Sequence, residues 1–145
     1  FPKGTFPDFP ALAVGRPGWD NWLIYHLRCR RVPVIDATKV VTSIHQTHDY
    51  SHLQGGFAWY KQGQETAANL KLAEGPEYLF CVADATHLLT QRGVRAALTF
   101  PHLWRRIYTL PILSPQLRFL RPILTILLRT TRAIRTKVGL NLDRL

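Results

Sequence analysis

The distribution of charge constrains this chain more than any other feature. Residues 1–90 carry eight Lys/Arg and eight Asp/Glu and balance to zero, whereas residues 91–145 carry eleven Lys/Arg against Asp143 alone. The whole net charge of +10 therefore lies in the last third. A uniformly basic domain would point to nucleic acid; a neutral body with a basic appendage points to a binding or catalytic domain localised by its tail. We accordingly divide the chain into a body, residues 1–90, and a basic tail, residues 91–145. With 145 residues, 46% of them hydrophobic, the chain is long enough for one domain with its own core and too apolar to be disordered throughout.

The chain opens at Phe1 and contains no Met, so we expect a processed chain or a piece of a longer protein. No basic, apolar and small-residue succession at the start resembles a secretory leader. Cys29 and Cys81 stand far apart in apolar neighbourhoods and in no metal spacing. The expectation is buried thiols in a reducing compartment, with one disulfide as the alternative.

Four prolines and three glycines within residues 1–18 exclude a long regular element there. Residues 20–31 have helical spacing in Trp22, Leu23, His26 and Leu27, with arginines near the end that suit the helix dipole. Pro33 stops that helix. Residues 34–36, 40–44, 78–83 and 86–90 are short, β-branched or aromatic, and predict strands. Residues 45–56 read as a polar loop and residues 64–73 as a helix. The Asp-Ala-Thr turns at Asp36 and Asp84 echo one another, each expected between two strands. Helix between short strands predicts an α/β body.

In the tail, a helical wheel over residues 117–138 gathers Arg118, Arg121, Arg129, Arg132 and Arg135 on one side and Phe119, Leu120, Ile123, Leu127, Ile134 and Val138 opposite. The nearly apolar stretch 122–128 is far short of the roughly 20 residues a membrane span needs. Preceded by Trp104, Arg105, Arg106 and Tyr108, this basic amphipathic helical tail suits an anionic membrane surface or a partner protein, and both readings stand.

The densest cluster of special residues is Gly15-Arg16-Pro17-Gly18-Trp19-Asp20-Asn21-Trp22. Asp20 falls at a helix start between two indoles. It serves there as a helix cap, or as a carboxylate beside aromatic rings of the kind that stack on sugars. An apolar wall would raise its pKa toward that of a general base, whereas capping N–H groups would lower it. A second cluster, residues 45–52, supplies His45, His48, His52 and Asp49 after an expected strand, where an imidazole can ligate a divalent cation. Its spacing matches no zinc motif. No phosphate-cradling glycine loop, nucleophile elbow or nucleic-acid reader motif occurs, so nucleic acid is not an expected partner.

The strings Gly15 to Tyr25, Pro33 to Thr38, and Ile44-His45-Gln46 with His48-Asp49-Tyr50 resemble the C-terminal half of a family of bacterial and plant glycosyltransferase-like proteins. These have the GT-A, nucleotide-diphospho-sugar transferase fold and are grouped near family two. The resemblance covers residues 1–90 and leaves the tail aside. It implies the C-terminal part of a GT-A fold in which Asp20 is the base on the acceptor hydroxyl. It further implies an acceptor surface of Gly18, Trp19, Asn21 and Trp22, and a Mg²⁺ or Mn²⁺ ion held by His45, with His48 as alternate ligand.

The partners so implied are a nucleoside-diphosphate sugar and a hydroxyl acceptor, and the basic tail would hold the protein on an anionic membrane surface at the cytoplasmic face. The sequence holds no Asp-x-Asp, the metal motif of the family's first half, so the chain by itself is expected to be inactive. Two other classes compete: a metal-dependent hydrolase built on His45–His52, and a non-catalytic module that binds membrane or partner through its tail.

Overall fold

A computed structural model describes residues 3–44, 50, 55–75, 78–124 and 126. The chain forms two compact units, Phe1–Leu103 and Trp104–Leu145. The first is mixed α/β. Its elements are α1 (Trp19–Cys29), β1 (Ile35–Asp36), α2 (Gly56–Gln62), α3 (Gln64–Leu72), β2 (His87–Thr90) and β3 (Gly93–Ala96). A further helix, α4 (Phe100–Leu113), continues into the second unit, where a 3₁₀ helix, Pro115–Leu120, follows.

The sheet has the order β1-β2-β3. β1 pairs parallel to β2, with Ile35 opposite His87, and β2 pairs antiparallel to β3, with His87 opposite Ala96. Thr86 anchors the parallel edge. Its hydroxyl accepts the N–H of Val34 at 3.0 Å and donates to the Val34 carbonyl at 3.1 Å. β3 lies within the stretch assigned to the tail, and its pairing with β2 joins residues 93–96 to the body.

Several expected strands do not form. Residues 40–44 are turn or irregular, and Val41 and Ile44 are exposed, because no strand among the described residues meets them. Residues 78–83 are not a strand either. The Asp84 carboxylate accepts the Cys81 N–H at 2.8 Å and closes a 3₁₀ turn over Val82–Asp84. The two Asp-Ala-Thr segments therefore differ: Asp36 ends a strand and accepts the Thr38 N–H at 2.8 Å, while Asp84 caps a turn that precedes one.

The core of the first unit is small. Leu12, Trp22 and Ala73 are buried together, with Phe6, Trp19, Leu23, Tyr25 and Leu79 packed on them. Both cysteines are exposed, contrary to expectation. The Cys29 thiol nonetheless lies against Tyr25. Desolvation pushes its pKa up, which the hydrogen bond from Tyr25 partly opposes. The same packing drives the Tyr25 hydroxyl above the ordinary tyrosine range.

Candidate functional site

The segment from Ala13 to Trp22 is held by a residue that its sequence gives no reason to notice. Asn69, in the middle of α3, is fully buried. Its side-chain oxygen accepts the Ala13 N–H at 2.8 Å, and its amide donates to the carbonyls of Ala13 at 2.9 Å and Pro17 at 3.2 Å. A single amide thus satisfies three backbone groups of a loop that has no ladder of its own.

Gly18 follows with φ 98°, a left-handed conformation, and occupies the N-cap position of α1. A β-carbon there would sit 3.5 Å from the Asn69 β-carbon, an ordinary contact, so the backbone angle rather than space requires glycine.

α1 then distributes its first four side chains by helical geometry. Trp19 packs partly buried on the core, and Trp22 enters it. The Trp22 ring stacks on His26 at 4.7 Å and meets Phe9 edge-on at 5.6 Å. Asn21 donates to the Phe80 carbonyl at 2.7 Å and fastens the helix to the segment before the 3₁₀ turn. Asp20 faces solvent in the first turn, where its carboxylate accepts the Asn21 N–H at 3.0 Å. The capping expectation for Asp20 is met in altered form: it serves one open N–H and the helix dipole from within the first turn, while Gly18 holds the cap position.

Of Gly18 to Trp22, then, Asp20 presents an exposed carboxylate whose hydrogen bond is local, to the Asn21 N–H. Trp22 and Asn21 face the body.

Beside this loop stands an aromatic surface that the sequence reading missed. Phe57 and Tyr60, one turn apart on α2, have rings 5.9 Å apart and nearly parallel at 15°. Tyr50 lies against both, 5.3 Å from Phe57 and 4.7 Å from Tyr60. Phe57 and the neighbouring Trp59 are exposed.

Arg16 ties this surface to the loop. Its guanidinium lies 6.0 Å from the centre of the Tyr60 ring and pairs with the exposed Glu65 carboxylate. Lys61 stands over Phe57 at 4.7 Å. Gly63 allows α2 to turn into α3, since a β-carbon there would meet the Trp59 carbonyl oxygen at 2.5 Å. The available signal was the spacing of aromatic residues at 57, 59 and 60 next to a glycine pair.

His45 and His48, the expected metal ligands, lie outside the described residues, as do Arg129, Arg132 and Arg135 of the tail. Among the described residues no three His, Cys, Asp or Glu side chains gather in a group that could hold a metal ion. The nearest approach to such a cluster is a pair: His102 Nε2 stands 3.8 Å from the Asp36 carboxylate, with Thr99 Oγ1 2.7 Å from its Nδ1. Arg118 and Arg121 are exposed, in the 3₁₀ helix and immediately after it. No helix among the described residues is long and apolar enough to cross a membrane.

No family model matches the chain, and no curated protein or solved structure matches it.

Proposed function

We propose that the chain is the acceptor-side half of a glycosyltransferase of the GT-A type, moving a sugar from a nucleoside-diphosphate donor to a hydroxyl acceptor. The observation that carries this reading is the pairing of an outward-facing Asp20 with a fixed loop whose Arg16 borders the surface of Tyr50, Phe57 and Tyr60. Aromatic rings stack on the apolar C–H face of a pyranose, while flanking guanidinium and carboxylate groups bond its hydroxyls. In this reading the acceptor surface moves from Trp19 and Trp22 to the rings of α2.

Asp20 takes the proton of the acceptor hydroxyl as its oxygen bonds to the anomeric carbon, and the bond from that carbon to the diphosphate breaks. The rigidity of the loop matters because a base contributes only when it is held within hydrogen-bond reach of its proton. A Mg²⁺ or Mn²⁺ ion would be held by His45 or His48 and would supply positive charge to the departing diphosphate.

Replacing Asp20 by Asn in the full-length protein should lower sugar transfer by about 10²–10⁴-fold, the usual worth of a positioned base, with an unchanged circular dichroism spectrum. Undiminished transfer by the variant would leave Asp20 with its helix role only. The present chain alone should turn over no nucleotide sugar.

A further inference from the structure

α4 is amphipathic in the reverse of the usual sense. Phe100, Leu103, Ile107 and Leu110, at intervals of three and four residues, are 79%, 41%, 52% and 43% exposed. His102 and Thr109, two turns apart on another side, are 7% and 1% exposed. Thr99 Oγ1 meets His102 Nδ1 at 2.7 Å, while His102 Nε2 has only the Asp36 carboxylate near it at 3.8 Å, and the Arg105 carbonyl accepts the Thr109 hydroxyl at 2.7 Å. Phe100, Leu103, Ile107 and Leu110 lie along an outward stripe that ends at the buried Pro111. A soluble helix normally turns such a stripe to the core. An exposed one marks an interaction surface.

The charge around the stripe selects its occupant. No Asp or Glu occurs between Asp84 and Asp143, and ten Lys/Arg do. Arg105 and Arg106 lie on α4 itself, partly exposed beside Trp104 and Tyr108, and Arg105 covers the Tyr108 ring at 5.5 Å. Beyond α4, Phe119, Ile123 and Ile126 are exposed among Arg118 and Arg121.

A second copy of α4 would match the spacing of the stripe but would bring arginine against arginine with no carboxylate on the helix to offset them. A bilayer surface with anionic headgroups accepts the apolar stripe and the guanidinium groups together, and the interface is where Trp and Tyr are most at ease. At 14 residues the helix is about 21 Å long, short of the roughly 30 Å hydrocarbon core, so it would lie along the surface.

We propose that α4 docks the protein on anionic bilayers by laying Phe100, Leu103, Ile107 and Leu110 into the headgroup boundary. This goes beyond the transferase reading and is independent of Asp20. It also places the contact on apolar side chains of α4 as well as on the arginines of the tail.

The test is flotation of the full chain with vesicles of phosphatidylcholine alone and of phosphatidylcholine with 30% phosphatidylglycerol (about 30%, chosen to mimic an anionic leaflet). The chain should partition onto the anionic vesicles. Ile107→Asp and Leu103→Asp should each weaken that partition at least about tenfold, because a carboxylate at the stripe meets apolar lipid and like charge. Val94→Asp, the same charge change at an exposed position of β3, should leave it nearly unaltered.

Both target residues are exposed, so the variants should keep the fold, as circular dichroism would report. Three outcomes would overturn the proposal: no partition onto anionic vesicles, equal loss in Val94→Asp and Ile107→Asp, or an Ile107→Asp protein that binds as well as the parent. The first, joined to a dimer in solution that Ile107→Asp dissociates, would assign the stripe to a second copy of the chain.

Discussion

α1 and α4 are helices of similar length, 11 and 14 residues, built on the same apolar repeat and turned opposite ways. α1 sends Trp22 inward and leaves Asp20 in solvent; α4 buries His102 and Thr109 and leaves four large apolar side chains outside. The difference arises from what stands next to each. α1 meets Leu12, Ala73 and the rings of Phe6 and Phe9, an apolar bed. The first turn of α4 meets Asp36, whose carboxylate sits 3.8 Å from His102 Nε2. Periodicity establishes that a helix has two faces, and only the neighbours decide which is turned in.

The contrast can be broken most directly by trimming one large side chain from each helix. Trp22→Ala removes a buried indole and should cost about 4 kcal/mol of stability, enough to threaten the fold of so small a core. Ile107→Ala should change stability by less than about 0.5 kcal/mol, since its side chain already faces water. Urea denaturation of the two variants measures both. Similar losses would mean that α4 buries its stripe in solution.

A smaller effect is expected at Asn69. Asn69→Ala leaves the Ala13 N–H and the Pro17 carbonyl without their partner and the Ala13 carbonyl with the Arg16 N–H at 3.3 Å alone, at a cost of about 2–3 kcal/mol. Because those groups fix the Gly15–Gly18 loop, the variant should also lose amide-exchange protection at Ala13 beyond what global destabilisation explains. Uniform loss across the chain would reduce Asn69 to ordinary packing.

The mildest test sharpens the account of the α1 side. Desolvation against Trp22 and Phe6, aided by Arg30, holds the His26 pKa below its ordinary value of 6.5, with Asp8 opposing. The unfolded chain therefore takes up the proton first as pH falls. Stability is complete above 6.5, declines as pH drops from there toward the lower folded pKa, and levels once both states are protonated. His26→Phe should flatten the decline in that window, as thermal melts at a series of pH values would show. An unchanged slope would assign the pH dependence to other groups.

What the sequence disclosed follows the same physical division. α1 and α3 were legible from the spacing of Trp22, Leu23 and His26 and from the Ala- and Leu-rich run after Gln64, because local periodicity and composition are properties of a segment. The Val40 to Ile44 run misled, because a β-branched segment becomes a strand only beside another one, and among the described residues none stands there. Trp19, Asn21 and Trp22 are legible as special and illegible in purpose: the same residue types that could line a sugar site also fasten a helix to its body, and here Trp22 and Asn21 do the latter. Asn69 was silent because an amide on a helix gives no sign of being buried until the loop it serves is in place. The aromatic surface of Tyr50, Phe57 and Tyr60 needed the turn of α2 to bring the rings together.

The proposed transferase function requires that a saccharide lie across those rings within reach of the Asp20 carboxylate. Titration of isotope-labelled chain with a panel of mono- and oligosaccharides, followed by amide and aromatic chemical shifts, addresses it most directly. Shifts concentrated at Arg16, Asp20, Phe57 and Tyr60, and abolished in Tyr60→Ala, are the predicted result. Shifts absent for every sugar, or gathered on a surface that excludes Asp20, would contradict it.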